Sequence, residues 1–148
     1  MALDLNDKTA NANTLTNVNG VTEITTNLPF AQSTSAAAFA AASSQCFSIV
    51  NAASLRPAGN FTIEAWFKTS TTGATQIIFW SSYSPTNIAG FWLTITPGNK
   101  LGLVSGLDNG TSLGTNYQQI IGNTTVTDGA WHHGAGVYDG SNLRIYLD

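Results

Sequence analysis

The residues best equipped for chemistry are the adjacent pair His132-His133, the two glutamates Glu23 and Glu64, the turn acids Asp108, Asp128 and Asp139, and a set of eight large polar aromatics: Trp66, Trp80, Trp92, Trp131, Tyr83, Tyr117, Tyr138 and Tyr146. Neighbouring residues on a strand point to opposite faces, so two adjacent imidazoles do not converge on one ion, and no cysteine or carboxylate stands beside them at zinc-ligand spacing. The expected arrangement is one histidine packed in the core with a hydrogen bond and one near the surface. A carboxylate pair for glycoside cleavage must be about 5 Å apart in a retaining enzyme and about 6.5–9.5 Å apart in an inverting one. Glu64 shares its expected strand face with Thr62 and Trp66, not with a second acid. The pattern Gly-x-Ser-x-Gly occurs at Gly110-Thr111-Ser112-Leu113-Gly114, but a nucleophile elbow is a strained strand-to-helix turn and no helix is expected after residue 60, so a Ser-His-Asp nucleophile is not supported.

Aromatic rings remain. The apolar faces of sugars stack on them while sugar hydroxyls bond to amides and carboxylates, so exposed aromatics among amide-rich loops suit glycan binding. On this ground Trp92, Tyr83 and Tyr117, with Asn109, are the expected ligand-binding residues, while Trp131 and Phe61 are expected inside the core.

Those side chains are held on a chain that reads as strand after strand. Phe61 to Lys68 alternates, with Phe61, Ile63, Ala65 and Phe67 on one face and Thr62, Glu64, Trp66 and Lys68 on the other. Gln76 to Ser81 contains four consecutive large apolar residues and predicts a strand buried on both sides. Phe91, Leu93 and Ile95 alternate with Trp92 and Thr94, and Pro97-Gly98-Asn99-Lys100 turns the chain into Leu101 and Leu103. Tyr117 to Ile121 and Thr124 to Thr127 are weaker strands that lead to a final hairpin. In that hairpin, Asp128-Gly129 and Asp139-Gly140 supply turn residues tolerant of positive φ. No helix is expected after residue 60. The alanine-rich run Ser33 to Ser44 suits either a helix by propensity or a strand. Upstream, Asn/Thr-rich pieces break at Asn19-Gly20.

Asp128-Gly129-Ala130-Trp131-His132-His133 followed by Tyr138-Asp139-Gly140-Ser141-Asn142-Leu143-Arg144-Ile145-Tyr146 resembles the signature of laminin-G-like domains of the concanavalin A-like superfamily. Phe61-Thr62-Ile63-Glu64-Ala65-Trp66-Phe67 resembles a second landmark of that family, in the expected order. The resemblance implies an all-β antiparallel jelly-roll sandwich, over residues 35–148, preceded by an Asn/Thr-rich arm over 1–34. It also implies further strands beyond Tyr146-Leu147-Asp148, so the chain is expected to be a fragment lacking its C-terminal strands, or to have that edge covered by a partner. Relatives in the family bind calcium through loop oxygens, which makes Asp108, Asp128 and Asp139 calcium candidates, although Asp-Asn-Gly and Asp-Gly are ordinary turn sequences as well. The Glu-x-Asp-x-x-Glu stretch of the laminarinase branch does not occur here. The N-terminal stretch followed by this sandwich also resembles modules of phage tail fibres, virion surfaces and bacterial surface proteins.

Composition narrows the partners. The 148 residues suffice for one domain with a real core. Five basic residues are scattered and the net charge is −3, so no basic stripe exists to neutralise a run of phosphates or to attract an anionic membrane. No apolar run is long enough to span a bilayer. Cys46 stands alone and is expected to be a small buried residue. The reading is a non-catalytic recognition module at a cell or virion surface, with glycan as ligand, no required cofactor, and assembly into an oligomer or a parent protein. A purely structural subunit and a polysaccharide-cleaving hydrolase are the alternatives.

Overall fold

The computed structural model describes residues 3–57, 59–82, 90–106 and 117–148. The chain divides into two compact units, Met1–Leu55 and Arg56–Asp148.

The first unit is built from short strands and side-chain amides. β1 (Thr16–Val18) pairs antiparallel with β4 (Cys46–Ser48), and β2 (Thr22–Ile24) with β3 (Ala36–Ala38). Asn19 and Gly20 both take positive φ, which ends β1 and starts a new direction at β2. Asn17 ties that turn: its Oδ1 accepts from the Val21 N–H at 2.7 Å and its Nδ2 donates to the Val21 carbonyl at 2.8 Å. Val21 is buried. The alanine-rich run is divided between both sequence readings, since β3 is followed by a 3-10 turn at Ala41–Ser43. Cys46 corrects the expectation of burial. In β4 it is Phe47 that turns inward, 5.1 Å edge-on to Phe39, so Cys46 and Ser48 on the alternate face are exposed.

The second unit is the sandwich. β5 (Phe61–Lys68), β10 (Trp131–Tyr138) and β11 (Leu143–Leu147) form a three-stranded antiparallel sheet in the order β11-β10-β5. β6 (Gln76–Ser82), β7 (Gly90–Ile95), β8 (Lys100–Gly106) and β9 (Tyr117–Thr125) form a four-stranded sheet in chain order. Leu93, Leu101 and Leu103 are completely buried at its centre, and Phe61, Ile63, Phe67, Leu143, Ile145 and Leu147 of the other sheet pack against them. Phe61 stacks on Phe91 with ring centroids 4.5 Å apart.

Glycine shapes this interface. The inward positions of β10 are His132, Gly134, Gly136 and Tyr138, and a methyl on Gly136 would stand 2.8 Å from Leu103 Cδ1. One on Gly134 would stand 2.8 Å from Leu101 Cδ2 and 2.9 Å from Phe67 Cε1. Two leucines of the four-stranded sheet thus occupy the space that ordinary residues of β10 would fill.

Two further expectations change at this level. Trp131 lies on the outer face of β10, paired with Lys68, and is half-buried; Phe61 alone of the pair is turned to the core. The alternation that sends His132 inward sends Trp131 out. β6 is not buried on both sides but is the edge of its sheet, with Ile77 and Trp80 more than half exposed. The strands buried on both faces are β7 and β8, in the middle of the sheet.

Candidate functional site

The backbone register of β5, β10 and β11 sets the site. Residues opposite one another across an antiparallel pair share a face, so the outer face carries the rows Lys68–Trp131, Trp66–His133, Glu64–Ala135–Tyr146 and Thr62–Val137–Arg144. Trp66 is 44% and Tyr146 55% exposed. The His133 ring lies 5.2 Å from the Trp66 ring, inclined by 47°, and His133 Nε2 is 3.7 Å from Glu64 Oε2. Along β5, Glu64 and Lys68 stand two residues either side of Trp66, about 7 Å away at the rise of an extended strand. An indole face is thereby flanked by a carboxylate and an ammonium, with a second tryptophan diagonal to it across the strand pair.

Beneath this face the buried His132 pairs with two half-exposed carboxylates. His132 is turned inward, with Nδ1 2.8 Å from Asp148 Oδ2 and Nε2 3.1 Å from Asp128 Oδ1. Two carboxylates can only accept, so the arrangement is satisfied by an imidazolium donating from both nitrogens. Burial works against that charge, but the hydrogen bonds to Asp148 and Asp128 outweigh it and hold the pKa above the usual imidazole value. Reciprocally, the His132 hydrogen bond, followed by the His133 N–H, lowers the pKa of Asp148. Asp128 is lowered first by the Ala130 N–H and then by His132. Asp148 also fixes the outer face, since its Oδ1 accepts from the His133 N–H at 2.9 Å and its own N–H donates to the His133 carbonyl at 3.0 Å. The two histidines therefore divide their roles as expected, one inside and hydrogen-bonded, one outside.

The other residues singled out by sequence are spread more widely. Trp92 lies on the outer face of the four-stranded sheet opposite Trp80, half-buried beside a ring that is 63% exposed. Tyr117 begins β9 opposite Gly106, and its side chain lies outside the described residues. Tyr83, Asn109 and Asp108 also lie outside them. Asp128 and Asp139 are at opposite ends of the eight-residue strand β10 and do not share one ion. Asp139 Oδ1 accepts from the N–H groups of Ser141 and Asn142 at 3.0 and 2.7 Å while Oδ2 pairs with Arg144, and these donors together hold its pKa down to about 2. Among the described residues no group of three or more histidine, cysteine or acidic side chains is arranged to hold a metal.

Strand alternation alone places Thr62, Glu64, Trp66 and Lys68 on one face but does not join them to His133 and Tyr146. The missing signal was the pairing of β5 with β10, made across a long stretch of sequence. Glu64 has Ala135 opposite it and Val137 and His133 on the diagonals, so none of its sheet neighbours is an acid.

No curated protein and no solved structure matches the chain. The laminin G family described as the concanavalin A-like lectin/glucanases superfamily matches residues 41–148, well over half of the sequence. That superfamily contains both glycoside hydrolases and non-catalytic lectins. With its two antiparallel sheets packed through a leucine core, the chain belongs to the concanavalin A-like lectin/glucanase superfamily.

Proposed function

We propose that this protein is a non-catalytic recognition domain that binds carbohydrate at a cell or virion surface, as part of a larger extracellular or virion assembly. The observation that carries the reading is the outer face of β5, where the exposed Trp66 ring lies between Glu64 and Lys68 and against His133. A pyranose ring has one face of C–H bonds and a rim of hydroxyls. The indole offers the first a flat partner, and the carboxylate, ammonium and imidazole offer the second both acceptors and donors.

A binding role is favoured over hydrolysis because Glu64 has no acidic neighbour across the strand pair, so the carboxylate couple that glycoside cleavage requires is not formed from the residues beside it. A glycan array probed with the purified chain tests the proposal, with Trp66→Ala as the control. Retention of glycans by the native chain and their loss in the variant is the expected outcome. If the array captures nothing and the chain sediments as an obligate multimer, the protein is a structural subunit. That second reading has its own support in β6, an edge strand with Ile77, Phe79 and Trp80 exposed and no charged residue within it.

A further inference from the structure

We propose that the Trp66–Glu64–His133 corner selects sugars bearing a protonated amine, glucosamine units above all, over neutral or acidic ones. This rests on the carbohydrate reading of the same face. The first line of support is the distribution of partners among the acids. Asp4, Asp7, Asp128, Asp139 and Asp148 all accept hydrogen bonds from groups of the chain itself. Glu64 instead meets the His133 ring at 3.7 Å, close enough for an ion pair but beyond hydrogen-bond length, and its side chain is 65% exposed. Its oxygens keep their lone pairs for donors from outside.

The second line is the ring beside it. An indole face attracts a cation through its quadrupole, and a carboxylate at the edge of that face adds a directed acceptor for an ammonium N–H. Glu64 and Trp66 project from the same face of one strand, so a sugar stacked on the indole brings a ring substituent over the carboxylate. Lys68, on the far side of Trp66, disfavours a second ammonium there and so sets the direction in which a cationic sugar lies. An anionic sugar in that orientation places like charge on Glu64. Acetylation of the amine removes both the cation and the paired N–H donors.

The two attractions at this exposed site together amount to about a tenfold preference. Calorimetric titration of the full chain with hexamers of β-1,4-linked glucosamine and of N-acetylglucosamine, in a mildly acidic buffer, reads it directly. The glucosamine hexamer is expected to bind about tenfold tighter, with the ratio shrinking as salt is added. Glu64→Gln is expected to bring the ratio close to one, Trp66→Ala to abolish binding of both, and Trp66→Phe to keep the preference at lower affinity. Equal binding of the two hexamers, a ratio that survives Glu64→Gln, or hexalysine binding as tightly as the glucosamine hexamer would each overturn the proposal. If other glycans on the array bind through Trp66 while neither hexamer does, the amine preference fails and the carbohydrate reading stands. If no glycan binds at all, both fall.

Discussion

Replacing Gly136 by alanine tests the central packing argument. The added methyl would stand 2.8, 3.0 and 3.2 Å from Cδ1, Cδ2 and Cγ of Leu103, a side chain with no exposed surface and therefore little room to swing away. Overpacking of this kind costs about 1–3 kcal/mol. Alanine also restricts the unfolded chain, which returns about 0.4–1 kcal/mol. The net expectation is a loss of about 1–2 kcal/mol, or roughly 1 M in the urea midpoint for a domain of this size. Tryptophan fluorescence is the assay, because all four tryptophans lie in the unit Arg56–Asp148 and report on the sandwich alone. Gly122→Ala is the internal control. Its methyl meets only the Leu101 carbonyl at 3.5 Å and Ile145 Cγ2 at 3.7 Å, ordinary contacts, so it should leave the midpoint unchanged or raise it. Leu103→Ala, costly by itself, should cost about 0.5–3 kcal/mol less in the Gly136→Ala background, since the clash disappears with the leucine. If Gly136→Ala is as stable as Gly122→Ala, or if the leucine truncation costs the same in both backgrounds, the leucine-into-glycine interface is wrong.

The His132 cluster makes stability depend on pH in a defined direction. Its folded pKa is raised, so the stability it contributes is fully present below the unfolded imidazole value near 6.5 and is lost as pH rises through the higher folded value. Asp128 and Asp148 are lowered, so their share is present above the unfolded carboxylate value of 3.8 and is lost as pH falls through the folded one. The stability difference between the native chain and His132→Gln should therefore be greatest in mild acid and shrink above neutrality; a difference that grows toward alkaline pH would contradict the imidazolium. Asp139→Ala removes the acceptor for two turn N–H groups and the partner of Arg144, and it should lower the melting temperature, whereas Asp139→Asn, which keeps the turn acceptor, should lower it less. Adding calcium, or EDTA, should leave the melting temperature unchanged so far as Asp128 and Asp139 are concerned, because their oxygens already accept from chain donors. A calcium-dependent rise that Asp128→Asn or Asp139→Asn removes would show the opposite.

Much of this protein was determined by local sequence. The period-two alternation of Phe61 to Lys68 and Phe91 to Ile95 specified strands and their two faces, because side chains on an extended backbone must alternate. Asp128-Gly129 and Asp139-Gly140 specified the ends of β10, where both glycines take positive φ. What tertiary structure decided was which strands became neighbours and which of two faces became the inside. Gln76 to Ser82 is apolar enough for a core strand and is nevertheless an edge, because burial depends on the strand order β6-β7-β8-β9 and not on the strand's own composition. Trp131 went outward and His132 inward because the small residues Gly134 and Gly136 share the face of His132, and only that face could receive Leu101 and Leu103. The candidate site follows from the same long-range choice. Alternation placed Glu64, Trp66 and Lys68 on one side of β5, but the face they share with His133 and Tyr146 exists only once β5 and β11 have taken up their registers on either side of β10.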